Sequence, residues 1–574
     1  MVSFAQLRDA KPGELDGAWR SWRKLVEHLE KAEDAYHDGF LQGIRKARWT
    51  GKDAEAAMPV LLLERTRMKV AGTEAASIAG VLCSAQAKIS AAQAELRDVL
   101  HAAQGEYLSV GDDGSIRLAP SLPPRYANWQ QYQQAANAVH DRFAAAVKKA
   151  TDADTQVAAA LRAFQPDILT SRHPLADLRD DARKATALAG FDPGNVPPKG
   201  MTDPKKVTAW WKSLPEEQRH LLMNAYPDKI GWANGIPSED RDEANRTRLD
   251  ARLAELQAKG ANLSAFEQRD LKRLTNLDAA MRTYEAKGRD LYLLGLDSTV
   301  REKAEKDGSD GRAIVAFGNP DTATHVATYV PGTTEDLDKF GGSMNRAANL
   351  NDAASAYTDK PVSTIAWLGY DAPDSVYTDS PSGKYADAGG PKLNAFVDGL
   401  RATQAAEGNP NAHMTAVGHS YGSTVIGEAA RHADDRLRVN DIMVAGSPGM
   451  RVDKAGDLHI GAGHVYAQEA RGDQVPSIGR YGHGDGGAIG PPRVPSDPEF
   501  GGRRLVTDGG GHSSYWTDKD PDPYTFGGAM RSLDQQGRVV AGTAYDAGGS
   551  GNDPVPYGSG GPGESKDTWW QRLF

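Results

Sequence analysis

The sequence holds a single cysteine, Cys83, among its 574 residues. One thiol excludes an intrachain disulfide and a thiolate-held metal cluster. Within its apolar helical stretch, Cys83 is expected to act as a small buried hydrophobe. Long apolar runs are scarce too. None reaches bilayer-spanning length, so no transmembrane segment is expected. The opening MVSFAQLRDAKPGELDGAW lacks a basic stretch followed by an apolar one, and so does not read as a secretory signal. Cytoplasmic residence is the default expectation, with export by a route that needs no such signal left open. None of the 14 histidines forms HExxH, and GHSYGST lacks the lysine of a P-loop. Metal-dependent hydrolysis and P-loop phosphate chemistry are therefore disfavoured. The net charge of -10 argues against nucleic acid as the main partner.

Against these absences stand 39% hydrophobic and 25% charged residues, the balance of a globular chain. A chain of this length is expected to divide into two or more folded units. Residues 1–165 read as helix. Trp22, Val26, Leu29, Ala32, Tyr36, Phe40 and Ile44 recur in steps of three and four. After RWTGKDA the pattern resumes through Ile78, Val81, Ala85, Ile89, Ala92, Leu96 and Val99. Two amphipathic helices around a Gly-containing turn predict an antiparallel hairpin. A third helix is expected from roughly Trp129 to Phe164. The Trp49-Thr50-Gly51 turn between helices resembles the WXG family associated with type VII secretion. That resemblance implies export, or a helical partner protein docking on the hairpin. The chain departs from that family's export signal, because Gly111 stands where an acidic residue should follow Tyr107.

Residues 166–285 read as a Pro/Gly/Asp-rich linker followed by a helical region. From 286 to 520 the texture changes. Short apolar runs (AIVAFG, VATYVPG, VSTIAWLG, MTAVGHS, DIMVAGSPG, HVYAQEA) alternate with helical segments. This predicts an α/β fold with a mostly parallel sheet covered by helices on both faces. The short turn in FGNPDTATHVATYV predicts an antiparallel pair at its start. Residues 521–574 are rich in Gly, Pro and Ser and are expected to form a disordered tail.

Gly418-His419-Ser420-Tyr421-Gly422 fits G-x-S-x-G, with a predicted strand before it and a predicted helix after it. A nucleophile elbow needs that setting. The flanking glycines leave room for a sharp turn, and the helix N-terminus favours developing negative charge at Ser420. A serine needs a base, and the base an orienting acid. In chain order the candidates are Asp473, just past the strand HVYAQEA, and His512, in the loop GGGHSSYW. Asp497 and Asp508 are rival acids, His483 is a rival base, and His419 is expected to be structural. The oxyanion donors expected are the backbone N–H groups of Tyr421 and of Thr333, which follows Pro331-Gly332 after a strand.

With these parts in order, YVPGTT, AWLGYDAP, VGHSYGS, VAGSPG and DPEFGGRRLVTDGGGHSSYW, with AWWKSL and DRDEANR upstream, resemble the actinobacterial α/β-hydrolase family once catalogued as domain of unknown function 1023. The resemblance covers roughly 200 to 520. It implies an α/β-hydrolase fold preceded by the helical domain, with Ser420 as nucleophile, His512 as base and Asp473 at the acid position. It leaves the substrate undefined; the residues themselves point to a serine hydrolase acting on a small or lipid-like ester, or else an amide or thioester, with no metal or organic cofactor expected.

Overall fold

The computed structural model describes residues 2–41, 44, 52–164, 174–188, 196–298, 311–375, 379–482, 493–507, 510–516 and 531–544. The chain forms two compact units. One comprises Met1–Gly200 and Trp211–Pro227, the other Met201–Trp210 and Asp228–Phe574.

The first unit is helical. After α1 (Phe4–Asp9), α2 (Pro12–Asp34) runs antiparallel to the long α3 (Lys52–Gly105). Successive contacts show the direction: Leu29 lies beside Gly72, Glu33 pairs with Arg65, and the Tyr36 hydroxyl donates to the Leu61 carbonyl at 3.2 Å. The Trp49-Thr50-Gly51 turn lies outside the described residues. α4 (Trp129–Ala163) begins at the Asn128 cap, whose side chain accepts from the Gln131 N–H. It buries Tyr132, Val139 and Phe143 against Leu96, Val99 and Ala103 of α3. Cys83 is buried. Contrary to the sequence expectation, Val70–Gly105 within α3 is long and apolar enough to cross a membrane; half of its apolar window is buried. The stretch thus has the surface of a core helix as well as the composition of a span.

The described helices of the segment 166–285 fall in both units. α5 (Pro174–Leu188) stays with the first unit, where Arg183 Nε donates to the Ala225 carbonyl at 2.9 Å. α6 (Glu216–Ala225) also belongs to the first unit, whereas α7 (Ser238–Lys259) and α8 (Ala265–Glu285) belong to the second. The reason lies in DRDEANR. Asn245 Nδ2 donates to the Leu293 carbonyl at 2.9 Å, and Asp242 accepts from the Leu293 N–H at 2.6 Å, so α7 is bonded to a strand of the sheet.

After β1 (Ser109–Val110) and β2 (Ile116–Arg117), a small ladder in the first unit, the second unit holds an eight-stranded sheet. Its strands are β3 (Leu291–Asp297), β4 (Arg312–Phe317), β5 (His325–Val330), β6 (Val362–Leu368), β7 (His413–His419), β8 (Asp441–Ala445), β9 (Val465–Gln468) and β10 (Arg503–Arg504). Their order is β10-β9-β8-β7-β5-β6-β4-β3. From β6 to β10 every pairing is parallel, while β4 is antiparallel to both β6 and β3. The expected β4–β5 pair does not form, because β6 lies between them; β3 supplies the antiparallel edge. Alternate residues feed opposite faces: Ile442, Val444, Val465 and Ala467 go to one core, and Met443, Ala445 and Tyr466 to the other. Helices cover both faces, with α10 (Lys384–Ala406) and α11 (Tyr421–Ala430) on the first and α9 (Phe340–Ser355) on the second. This is an α/β-hydrolase fold, as expected.

The stretch expected to be a tail contains a helix that belongs to this core. After α12 (Val475–Gly482), α13 spans Arg531–Val540 and buries Leu533, Val539 and Val540 beside Tyr515, Trp516 and Tyr466. Gln536 Nε2 donates to Gln468 Oε1 at 2.8 Å and to the Tyr515 carbonyl at 3.1 Å. Glycine-rich flanks masked this short amphipathic segment in the composition. Leu533→Ala is expected to lower the stability of this unit by about 2–4 kcal/mol, the cost of a buried cavity, read as a shifted urea midpoint. An unchanged midpoint would mark α13 as dispensable.

Candidate active site

The site forms at the carboxyl ends of β5, β7, β8 and β9. β7 ends at His419, α11 begins at Tyr421, and Ser420 is the whole connection. Its φ of 52° and ψ of -129° lie where side chains are strained, at a cost of roughly 1–3 kcal/mol. The neighbouring glycines show why the turn is so tight. A Cβ on Gly422 would sit 2.1 Å from the Val330 carbonyl oxygen, and one on Gly418 would sit 2.9 Å from Ser423 Cα. The Ser420 carbonyl is held by the Ser423 N–H at 3.0 Å and hydroxyl at 2.6 Å.

Because β5 and β7 are adjacent and parallel, the loop after β5 meets the elbow. A Cβ on Gly332 would lie 2.6 Å from Ser420 Cβ and 3.1 Å from the Tyr421 nitrogen. Thr333 follows, its hydroxyl 2.7 Å from that of Ser380. Thr334 has φ 67°, and its N–H donates to the Pro373 carbonyl at 2.7 Å, tying the loop down. The Tyr421 side chain is buried and donates to the Ser382 carbonyl at 2.6 Å. Ser420, Tyr421, Thr333 and His512 therefore face one cavity of about 310 Å³.

His512 Nδ1 lies 3.0 and 2.9 Å from the two oxygens of Asp473. The Asp473 carboxylate also accepts from the Val475 N–H at 2.9 Å and the Tyr515 hydroxyl at 2.6 Å. It is thus fully occupied, aimed and buried. Of the rivals, Asp497 is engaged elsewhere, accepting from Arg480 Nε at 2.8 Å and the Val494 N–H at 3.0 Å. Asp508 and His483 lie outside the described residues. His419 is buried beneath the site, and its Nε2 donates to the His512 carbonyl at 2.7 Å. Burial, then the neighbouring His512 and Arg346, push its pKa well below the usual histidine value, so it stays neutral and keeps this role. Among the described residues no cluster of His, Cys, Asp or Glu could hold a metal ion.

Three supporting residues escaped the sequence reading. Tyr515 lies in GHSSYW and fixes Asp473; its raised pKa, caused by burial and then Asp473, keeps it a donor. Trp516 packs edge-on against His419, with ring centres 5.0 Å apart. Gly446, in VAGSPG, has φ 59°, and a Cβ there would lie 2.5 Å from Asp473 Oδ2 and 2.9 Å from His512 Nδ1. The motifs carried these residues in plain view, but no spacing rule assigned them a task. Gly446→Ala is expected to displace the Asp473–His512 pair. The downfield His512 Nδ1 proton resonance, assigned by its loss in His512→Ala, should then vanish or shift; an unchanged signal would show that the site tolerates a Cβ.

Residues 307–482 match the family described as alpha/beta hydrolase. The match includes Ser420 and Asp473 and ends before His512. The uncharacterized protein Rv2079 of Mycobacterium tuberculosis is 31% identical over 400 residues, which is 61% of this chain and 59% of that protein. The uncharacterized protein Mb0988c of Mycobacterium bovis is 35% identical over 182 residues, 30% of this chain and 66% of that protein. The chain thus spans less than two thirds of the length of these curated relatives. Fold, elbow and family match agree that residues 307–482 carry an alpha/beta-hydrolase domain.

Proposed function

We propose that this protein is a serine hydrolase that cleaves a small-molecule or lipid-like ester through an acyl-enzyme. The observation that carries this reading is the convergence on one cavity of the strained elbow serine and the His512–Asp473 pair.

In this mechanism Ser420 Oγ attacks the ester carbonyl carbon while His512 Nε2 takes its proton. Asp473 holds Nδ1–H, fixes the tautomer and stabilises the imidazolium that forms. The carbonyl oxygen becomes an oxyanion, received by the backbone N–H groups of Tyr421 and Thr333. Collapse expels the alcohol, which takes the proton from His512 and leaves Ser420 acylated. Water, deprotonated by His512, then attacks the acyl carbon, and a second collapse releases the acid and restores Ser420. Atoms and protons balance with water as the only co-reactant. His419 and Tyr515 touch no reacting atom in this scheme. They hold His512 and Asp473 in place.

A fluorophosphonate probe is expected to label the wild type and not Ser420→Ala. Equal labelling of both would remove Ser420 as the nucleophile. With an activated p-nitrophenyl ester, His512→Ala is expected to lower kcat by at least about 10³-fold, with the circular dichroism spectrum unchanged. Retained turnover would place the base elsewhere.

A further inference from the structure

We infer that the cavity contains an anion subsite built on Arg346, and that the ester substrate carries a carboxylate. The inference rests on the serine-hydrolase reading above, since it names the substrate of that same cavity.

Arg346 projects from α9 into the cavity wall beside Ser420 and His512. Two contacts fix its guanidinium. Nη1 donates to the Tyr329 hydroxyl at 2.9 Å, and the group lies 5.8 Å from the centre of the Trp516 ring. Tyr329 and Trp516 are both buried, so the anchor is rigid. Among the described residues Arg346 makes no ion pair and no other hydrogen bond. The other charges on this wall are matched or turned aside. Lys339 Nζ donates to the Thr334 carbonyl at 2.9 Å and lies 3.8 Å from Asp336. Glu335 accepts the Ser343 hydroxyl at 2.6 Å; burial raises its pKa, and it attracts Arg346 electrostatically without bonding to it.

A partly buried guanidinium with a carboxylate nearby but none bonded to it keeps donors for a further anion. With Nη1 committed to Tyr329, Nε and Nη2 remain as two parallel donors. That edge matches the two oxygens of a carboxylate in the bidentate geometry arginine favours. Pro448, Val475 and Ile478 add apolar surface to the same lining. The cavity thus offers both apolar and cationic surface, suited to an ester with an aliphatic part and a carboxylate that reaches Arg346. If Arg346 served packing alone, its loss would affect charged and neutral esters alike.

The test uses the full chain and two matched pairs of esters. One pair carries the carboxylate on the acyl side: p-nitrophenyl hexanoate against the p-nitrophenyl monoester of adipic acid. The other carries it on the alcohol side: phenyl butyrate against 4-(butyryloxy)benzoate. In at least one pair the carboxylated ester is expected to have about tenfold or greater advantage in kcat/KM, expressed mainly in KM, as befits a hydrogen bond to a charged group. Arg346→Met should abolish that advantage, and Arg346→Lys should restore part of it. The proposal is overturned if the wild type, labelled at Ser420 by the fluorophosphonate, shows no advantage in either pair. It is also overturned if the advantage survives in Arg346→Met. Failure of the wild type to label or turn over any ester would instead sink the hydrolase reading, and this subsite with it.

Discussion

Everything at the site depends on how closely two backbones approach. β5 and β7 are neighbours in the sheet, and the turns that leave them are pressed together at Gly332 and Gly422. The Val330 carbonyl oxygen occupies the place a Gly422 side chain would take, and Ser420 Cβ occupies the place a Gly332 side chain would take. With both positions bare, the serine, the N–H of Tyr421 and the loop at Thr333 come within reach of one small molecule. Any side chain at either glycine would push the elbow away from that loop. The strain stored at Ser420 persists because the sheet, α11 and the bonds from Ser423 determine its position many times over.

The same principle governs the Asp473–His512 pair. Gly446 leaves the end of β8 open, and Asp473 and His512 meet over it. His512 comes from a glycine-rich loop with little conformational preference of its own, so its position has to be imposed from outside. Three contacts impose it: Asp473 on the ring, the His419 donor on its carbonyl, and the Gly472 N–H on the Gly510 carbonyl at 3.0 Å. Tyr515 and Trp516 carry these constraints into the core, and α13 closes the core behind them. The helix in the C-terminal glycine-rich stretch is therefore part of the foundation under His512. Arg346 lies over Trp516, the ring that also packs against His419.

The turn at Ser420 and the candidates Asp473 and His512 could be picked out in the sequence, because each stands just past a strand of a parallel sheet. Ser420 follows β7, Asp473 follows β9 and His512 follows β10, and the structure brings Asp473 and His512 together. Strand position favoured Asp473 over Asp497, and in the structure Asp473 bonds His512 while Asp497 is held by Arg480. Less was legible where a residue's task depends on contacts distant in sequence. Tyr515, Gly446 and Arg346 have no local signature, since a tyrosine, a glycine or an arginine fits many surroundings. The strand order was misjudged for the same reason. A short turn suggests neighbouring strands, but β6 packs between β4 and β5, which no local pattern reveals.

The sequence by itself determined the class of fold and the position of the tight turn at Ser420. Hydrophobic periodicity is a local property, and a G-x-S-x-G turn is dictated by sterics within five residues. Only the tertiary structure decided which charges are satisfied and which are left over. Asp473 is bonded by His512, Tyr515 and a backbone N–H, while Arg346, among the described residues, is anchored on Tyr329 with no carboxylate bonded to it. That difference depends on distances between residues far apart in the chain. Such distances exist only once the sheet has brought its strand ends together.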